Sequence, residues 1–149
     1  MAYNATVFRV LIATPSDLGE ERDVIERCIR QWNTRNSMHD GMILLPVRWE
    51  DAYTPTMSAE PQDALNSQFA HHCDMVIGSF WTRMGTPTKN YEGGAEEEID
   101  WYISNNKPAM IYFSDKPIAP SKLDHAQHEK LEAYKKSSLR RDSADLIPL

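Results

Sequence analysis

Four short apolar runs, separated by stretches of helical periodicity, constrain the fold of this chain more than any other feature. The runs cover residues 7–13, 42–49, 73–80 and 108–113. Each is nearly continuous in apolar residues, which is typical of strands buried on both faces of a sheet. The alternation of such strands with amphipathic helices predicts an α/β domain whose parallel sheet is covered by helices on both faces.

The segments between the runs predict the helices. The first helix is expected to start at an N-cap formed by Ser16 or Asp17 and to end near Asn33, followed by a polar loop over residues 36–41. Its inward face is predicted from residues that recur at helical spacing: Leu18, Ile25, Cys28, Ile29 and Trp32. Further helices are predicted after Pro61, over residues 95–105 and over residues 122–137. The inward residues of the second of these three are predicted to be Ile99, Tyr102 and Ile103.

The pattern favours a flavodoxin-like three-layer domain with strand order 2-1-3-4-5. Pro46 lacks an N–H donor, so the second strand is expected at the edge of the sheet. Residues 146–149 are the only material for a fifth strand, so the last strand is predicted to be short or missing. We expect residues 1–149 to form one domain, which would be the N-terminal module of a longer protein.

Composition narrows the classes of function. The 149 residues carry a net charge of −6, which disfavours nucleic-acid binding because phosphate contacts need a basic face. Two cysteines form neither a disulfide scaffold nor a zinc-ligand spacing, and no apolar stretch is long enough to cross a membrane. His71 and His72 are adjacent and would point apart, so no metal site is expected. The expected location is the cytoplasm.

Ligands of open parallel sheets bind beyond the carboxyl ends of the strands, at the point where strand order reverses. Residues 14–17 and 80–88 should frame that point. These two segments offer hydroxyl groups, a carboxylate, an aromatic ring, a guanidinium group and a glycine backbone that a ligand can approach closely. Trp49, at the end of the second strand, is a further candidate. The predicted substrate-binding residues are Thr14, Ser16, Asp17, Trp49, Trp81, Arg83, Gly85 and Thr86.

Glu98 is the predicted catalytic residue. Glu96, Glu97 and Glu98 open the helix that starts after Gly94. The helix dipole alone explains acidic residues at such a position, and it accounts for the first two. Glu98 directly precedes the inward residue Ile99, so it should point toward the pocket at this edge of the sheet more than its neighbours do. A partly buried carboxylate there could stabilise a cationic sugar ring or attack its anomeric carbon.

The stretch from Gly94 to Ile99, followed by Asn106-Lys107-Pro108 and an apolar strand, resembles the superfamily of nucleoside 2-deoxyribosyltransferases and Toll/interleukin-1 receptor (TIR) domains. Counting back from Lys107 by the spacing of the transferases leads to Glu98. The whole chain also resembles a largely uncharacterised family of bacterial TIR-like domains, which often open larger proteins. Two features depart from the pattern: Gly94-Ala95 stands where relatives have Gly-Thr, and no tryptophan directly precedes the glutamate.

The resemblance implies an enzyme that hydrolyses NAD to nicotinamide and ADP-ribose, with NAD as substrate and no cofactor. Such domains usually act as effectors in bacterial immunity and need self-association. Two alternatives stay open. One is a non-catalytic module that senses a nucleotide or acts through TIR–TIR contacts, and the other is base exchange between nucleosides.

Overall fold

The computed structural model of the protein describes residues 1–15, 17–48, 70–85 and 87–141, which form a parallel sheet between two layers of helices. The strands are Thr6–Ala13 (β1), Met42–Val47 (β2), Met75–Phe80 (β3) and Ala109–Phe113 (β4). The helices are Gly19–Asp40 (α1), Gly94–Ser104 (α2) and His125–Arg141 (α3), with 3-10 turns at Ala70–His72 and Pro120–Lys122. The α/β class and the flavodoxin-like three-layer arrangement are confirmed.

The strand order is β2-β1-β3-β4, and every pair is parallel. Within the described residues β2 is an edge strand, as predicted from Pro46, which lies opposite Val10 in the register with β1. The four strands follow the predicted order, while residues 146–149, the candidate fifth strand, lie outside the described residues. The predicted helix after Pro61 also lies outside them.

Alternation along the strands divides the core between the two faces of the sheet. One face carries Val76 and Phe80 of β3 and packs against α2 and α3, which contribute Ile99 and Leu131. On the other face Val10 and Ile12 of β1 pack against Ile29 of α1. Residues paired between β1 and β3 point to the same face of the sheet, because side chains alternate between the two faces along each strand.

Helix α1 is longer than the polar sequence after Asn33 suggested. The helix continues to Asp40 and ends at Gly41, whose left-handed φ of 65° suits a C-cap glycine. Asn33 holds this part against β2, because its side chain donates to Leu44 O at 2.7 Å and accepts from Leu44 N at 2.8 Å. Ser37 is buried and bonds to the hydroxyl of Tyr3. The predicted loop over residues 36–41 is therefore wrong, because polar contacts made elsewhere stabilise a helix there.

Three side-chain predictions are also wrong. Asp17 is not the N-cap of α1, since Leu18 occupies that position without a side-chain bond. Cys28 is exposed, because the buried face of α1 is narrow at this point and contains Ile29 but not its neighbour Cys28. Ile103 is 42% exposed, because the face of α2 that meets the sheet is already filled by Ile99 and Tyr102.

Helix α2 lies close to β3 because β3 has a glycine beneath it. A Cβ on Gly78 would lie 2.4 Å from Ile99 Cδ1, so only glycine leaves room for this contact. The helix runs opposite to the strands, and its first turn therefore lies at their carboxyl edge. None of the helices described has the length and apolar character of a membrane span.

Candidate functional site

Glu98 lies on the buried face of α2, among apolar residues. Its side chain is 2% exposed, and it shares this face with Ala95, Ile99 and Tyr102. Neither carboxyl oxygen has a hydrogen-bond partner. Glu98 is more deeply buried than Glu96 and Glu97, whose side chains are only partly buried, while its orientation toward a pocket stays a prediction.

Burial determines the charge of this carboxyl group. It raises the pKa of Glu98 well above the ordinary value, and the neighbouring charge of Glu97 adds to the shift. No positive group compensates among the causes of that shift. Burial therefore favours the protonated form of Glu98, and a carboxyl group perturbed in this way is a feature of functional sites.

The two loops predicted to frame the site lie against each other. Asp17, which follows β1, accepts hydrogen bonds through Oδ2 from the hydroxyl of Thr82 at 2.8 Å and from its backbone N–H at 3.3 Å. A Cβ on Gly85 would lie 3.7 Å from Pro15 Cβ, and Gly85 has a left-handed φ of 102°. The structure thus joins the segment after β1 to residues 81–85, as the strand order requires.

Buried polar atoms without partners concentrate in the segments around this edge. They belong to the residues after β1, to the residues between β3 and α2, and to the first turn of α2. Buried polar groups normally find a partner, so an accumulation of unpaired ones needs an explanation. The atoms are Thr14 Oγ1, Asp17 Oδ1, Arg83 Nε, Thr88 Oγ1, Glu97 Oε2 and both Oε atoms of Glu98.

Trp81 is already engaged by another part of the chain. Its indole N–H donates to the carbonyl oxygen of Lys116 at 2.6 Å. The Lys116 ammonium lies 4.6 Å from the centre of the ring and pairs with Glu21 at 3.1 Å. A ligand that stacks on this face of Trp81 must displace the lysine side chain first.

Residues 81–93, here called the post-β3 loop, connect β3 to α2 and are held from two sides. A Cβ on Gly93 would lie 2.1 Å from the carbonyl oxygen of Met84, so the start of α2 rests directly on this loop. From α3, the side chain of Gln127 bonds to the backbone of Met84 and Gly85. The positions of Arg83 and of the first turn of α2 are therefore coupled through backbone contacts.

Three predicted binding residues, Ser16, Trp49 and Thr86, lie outside the described residues. Three further residues of the site were not predicted as such: Glu97, Thr88 and Gln127. Glu97 had been explained by the helix dipole, and Thr88 lay in the predicted loop without being singled out. Gln127 could have been found, because it lies at helical spacing before Leu131 and Tyr134 on the inward stripe of α3.

Glu98 lines neither of two surface depressions formed by described residues. One depression of about 320 Å³ lies against α1 and Arg48. Another of about 290 Å³ lies between α3 and the residues around Glu92. Within the same described residues, His, Cys, Asp and Glu side chains form no group of three that could hold a metal ion.

Fold and site together define a three-layer α/β domain with a buried, unpaired carboxyl group at the carboxyl edge of its parallel sheet. Residues 9–146 match the model of a domain of unknown function, DUF4062, and the chain belongs to that family. No curated protein and no solved structure matches the chain. The resemblance to TIR domains and deoxyribosyltransferases stays a prediction.

Proposed function

We propose that this domain is an N-glycosidase that cleaves the bond between nicotinamide and ribose in NAD, with Glu98 as its catalytic residue. One observation carries the proposal: both oxygens of a buried carboxyl group in α2 have no hydrogen-bond partner. An unpaired buried polar group costs about 1–3 kcal/mol, so a purely structural residue at this position would be apolar. A group that binds or reacts with a ligand explains why the cost is accepted.

The unpaired atoms suit a sugar phosphate. Most of them accept hydrogen bonds, as the hydroxyl groups of a ribose require. Arg83 contributes a cationic N–H donor, which suits a phosphate. The acceptors are Oδ1 of Asp17, Oε2 of Glu97, both carboxyl oxygens of Glu98 and the hydroxyls of Thr14 and Thr88. A nucleotide combines both kinds of group in one molecule.

The raised pKa gives Glu98 a defined part in the reaction. Burial favours its protonated form, and the positive nicotinamide ring would lower its pKa and favour the carboxylate. Cleavage of the C1′–N bond leaves the electron pair on nicotinamide and an oxocarbenium-like cation on ribose. The carboxylate stabilises this cation or bonds to C1′. Water then adds to C1′ and loses a proton, which yields ADP-ribose.

The test is the release of nicotinamide from NAD by the purified protein at high concentration, followed by chromatography. We expect Glu98→Gln to lower the rate at least about 100-fold, the usual effect of removing a group that stabilises transition-state charge. The matched control is Glu96→Gln in the same helix. It should keep the rate, because the glutamine oxygen can still accept the hydrogen bond from Glu92 N. Equal rates for the two variants would refute the role of Glu98.

A second candidate is a module that binds a nucleotide or associates with other copies without catalysis. The closed surroundings of Glu98 and the Lys116 side chain on Trp81 favour it, since neither group is open to a ligand in the unliganded domain. Calorimetric binding of NAD without nicotinamide release would support this candidate. The release assay must span the concentrations at which sedimentation detects oligomers, because self-association could open the site.

The same assay distinguishes NAD hydrolysis from base exchange between nucleosides. Addition of a free nucleobase would reveal base exchange between nucleosides as a new nucleoside product.

We place the activity in the cytoplasm, where a reducing environment suits Cys28 and Cys73, which form no disulfide. An NAD-cleaving domain there would act as an effector of bacterial immunity, as the resemblance implies.

A further inference from the structure

The inward face of α3 contains one residue that the hydrophobic core does not explain. Leu131 is buried in the core, and the ring of Tyr134 lies 5.2 Å from that of Phe80 in an edge-on contact. Gln127 lies one turn before Leu131 on the same face and is partly buried. An apolar residue would continue this stripe, so the amide must have another role.

The amide of Gln127 pairs with backbone groups of the post-β3 loop. Its Oε1 accepts hydrogen bonds from the N–H of Met84 at 3.1 Å and of Gly85 at 3.3 Å. Its Nε2 donates to the carbonyl oxygen of Gly85 at 3.2 Å. One side chain thus satisfies three backbone groups of the loop. Gly85, which provides two of them, has a left-handed φ and forms no strand pairing that could satisfy them.

This loop supports the first turn of α2. Met84 is buried in the core, and its carbonyl oxygen lies so close to Gly93 that a Cβ there would overlap with it. Gly93 in turn accepts a hydrogen bond from the N–H of Glu97 at 3.2 Å, which closes the first turn of the helix next to Glu98. A continuous set of contacts therefore runs from Gln127 through Met84 to the helix that carries the carboxyl group.

The start of α3 holds Gln127 in place. Asp124 caps the helix, because its Oδ1 accepts a hydrogen bond from Gln127 N at 3.1 Å and its carbonyl oxygen accepts one from His128 N at 2.9 Å. We propose that Gln127 is a positioning residue of the Glu98 site. Its side chain fixes the post-β3 loop beneath α2, so the geometry of the site depends on how α3 packs against that loop. The assignment deepens the proposed function and rests on it.

The experiment compares Gln127→Met with Glu129→Met in the full chain. Methionine keeps the size and packing of glutamine but forms none of the three hydrogen bonds. Glu129 is exposed on the same helix, so the control introduces the same residue away from the loop. Three quantities are measured: amide hydrogen exchange of Met84 and Gly85, the pH titration of the Glu98 carboxyl by carbon NMR, and kcat and KM for nicotinamide release.

For Gln127→Met we expect exchange at both amides to rise about tenfold, because the hydrogen bonds that protect them are lost. Water should reach Glu98, so its pKa should fall toward the ordinary value. The kcat should fall about tenfold with a smaller change in KM, as for a misplaced reacting group. Gln127→Glu should restore part of the protection, since a carboxylate still accepts both N–H groups but cannot donate to Gly85.

The outcomes separate this assignment from the proposed function. Faster exchange with a Glu98 titration and kcat equal to those of Glu129→Met would overturn the positioning role. If the wild-type protein releases no nicotinamide, the proposed function fails, and the Glu98 titration alone then decides: a shift supports the positioning role and no shift overturns it. If Gln127→Met does not fold, Gln127→Glu supplies the same comparison.

Discussion

The two ends of helix α2 differ in how their polar side chains are paired. At the C-terminal end, Lys107 donates to the carbonyl oxygen of Cys73 at 2.9 Å and lies over the rings of Trp101 and Tyr102. His71 stacks on Trp101, with the two ring centres 4.0 Å apart. At the N-terminal end, Glu98 is as deeply buried as the core and bonds to nothing.

We interpret the difference as that between an end of the helix that stabilises the fold and an end that serves the proposed function. The pairing of Lys107 and the bond between Tyr102 and Cys73 stabilise the fold, and burial raises the pKa of Tyr102 so that it stays protonated. Unpaired groups at the other end lower stability and keep bonding capacity for a ligand. Removal of the paired polar side chains at the C-terminal end should therefore lower stability, and removal of the unpaired polar side chains at the N-terminal end should lower activity.

The largest effect on stability is expected from Gly93→Ala, because the new Cβ would lie 2.1 Å from a backbone oxygen of the post-β3 loop. We expect a loss of about 3 kcal/mol in the free energy of unfolding, the upper part of the range for overpacking. Urea denaturation measures it. Gly19→Ala is the control, since nothing lies within 4 Å of its Cβ. Similar stabilities of the two variants would show that the start of α2 does not rest on Met84.

The next effect, about 2 kcal/mol, is expected from Lys107→Met. The methionine keeps the apolar stem but loses the hydrogen bond to Cys73 and the contact of the ammonium with two rings. Nicotinamide release per folded molecule should stay at the wild-type rate, in contrast to Glu98→Gln. A loss of release in folded Lys107→Met protein would erase the distinction between the two ends.

Glu98→Gln should have an effect on stability that depends on pH. Because the pKa of Glu98 is raised in the folded protein, the folded state keeps a proton that the unfolded chain has lost. Wild-type stability should therefore be full below the ordinary glutamate pKa and should fall as pH rises toward the raised value. The variant does not titrate there, so its stability relative to the wild type should increase as pH rises.

The measurement is urea denaturation of both proteins from about pH 4 to about pH 8. The pH-dependent part of the difference should disappear at the acidic end, where both states of the wild type carry the proton. A constant difference across this range would mean that the pKa of Glu98 is not raised in the folded protein.

The smallest effect on stability is expected from Lys116→Ala. Lys116 is 45% exposed in its side chain, so its pair with Glu21 should contribute no more than about 0.5 kcal/mol. The ring of Trp81 should become accessible, which NMR of its indole N–H would detect as a shift on addition of NAD. Lys122→Ala is the control, because Lys122 is exposed on the 3-10 turn that precedes α3. A shift of equal size in the two variants would contradict a role of Lys116 over the ring.

Local patterns predicted much of this structure. The apolar runs located the four strands, Pro46 indicated the edge, and the position before Ile99 indicated that Glu98 faces inward. Each of these depends on burial, which periodicity records along a few residues. Local patterns failed for α1, whose polar second half is held by Asn33 and Ser37 through bonds to residues of other segments.

The sequence by itself therefore determined the class of fold, the positions of the strands and the inward position of Glu98, because these follow from the spacing of apolar residues, whereas the strand order was expected from the doubly wound pattern. Only the tertiary structure decided which polar groups pair. Asp17 meets Thr82 across 65 positions of sequence, and Gln127 meets Gly85 across 42. Such hydrogen bonds depend on how distant elements pack, and no local period records them. The same packing left Glu98 without a partner.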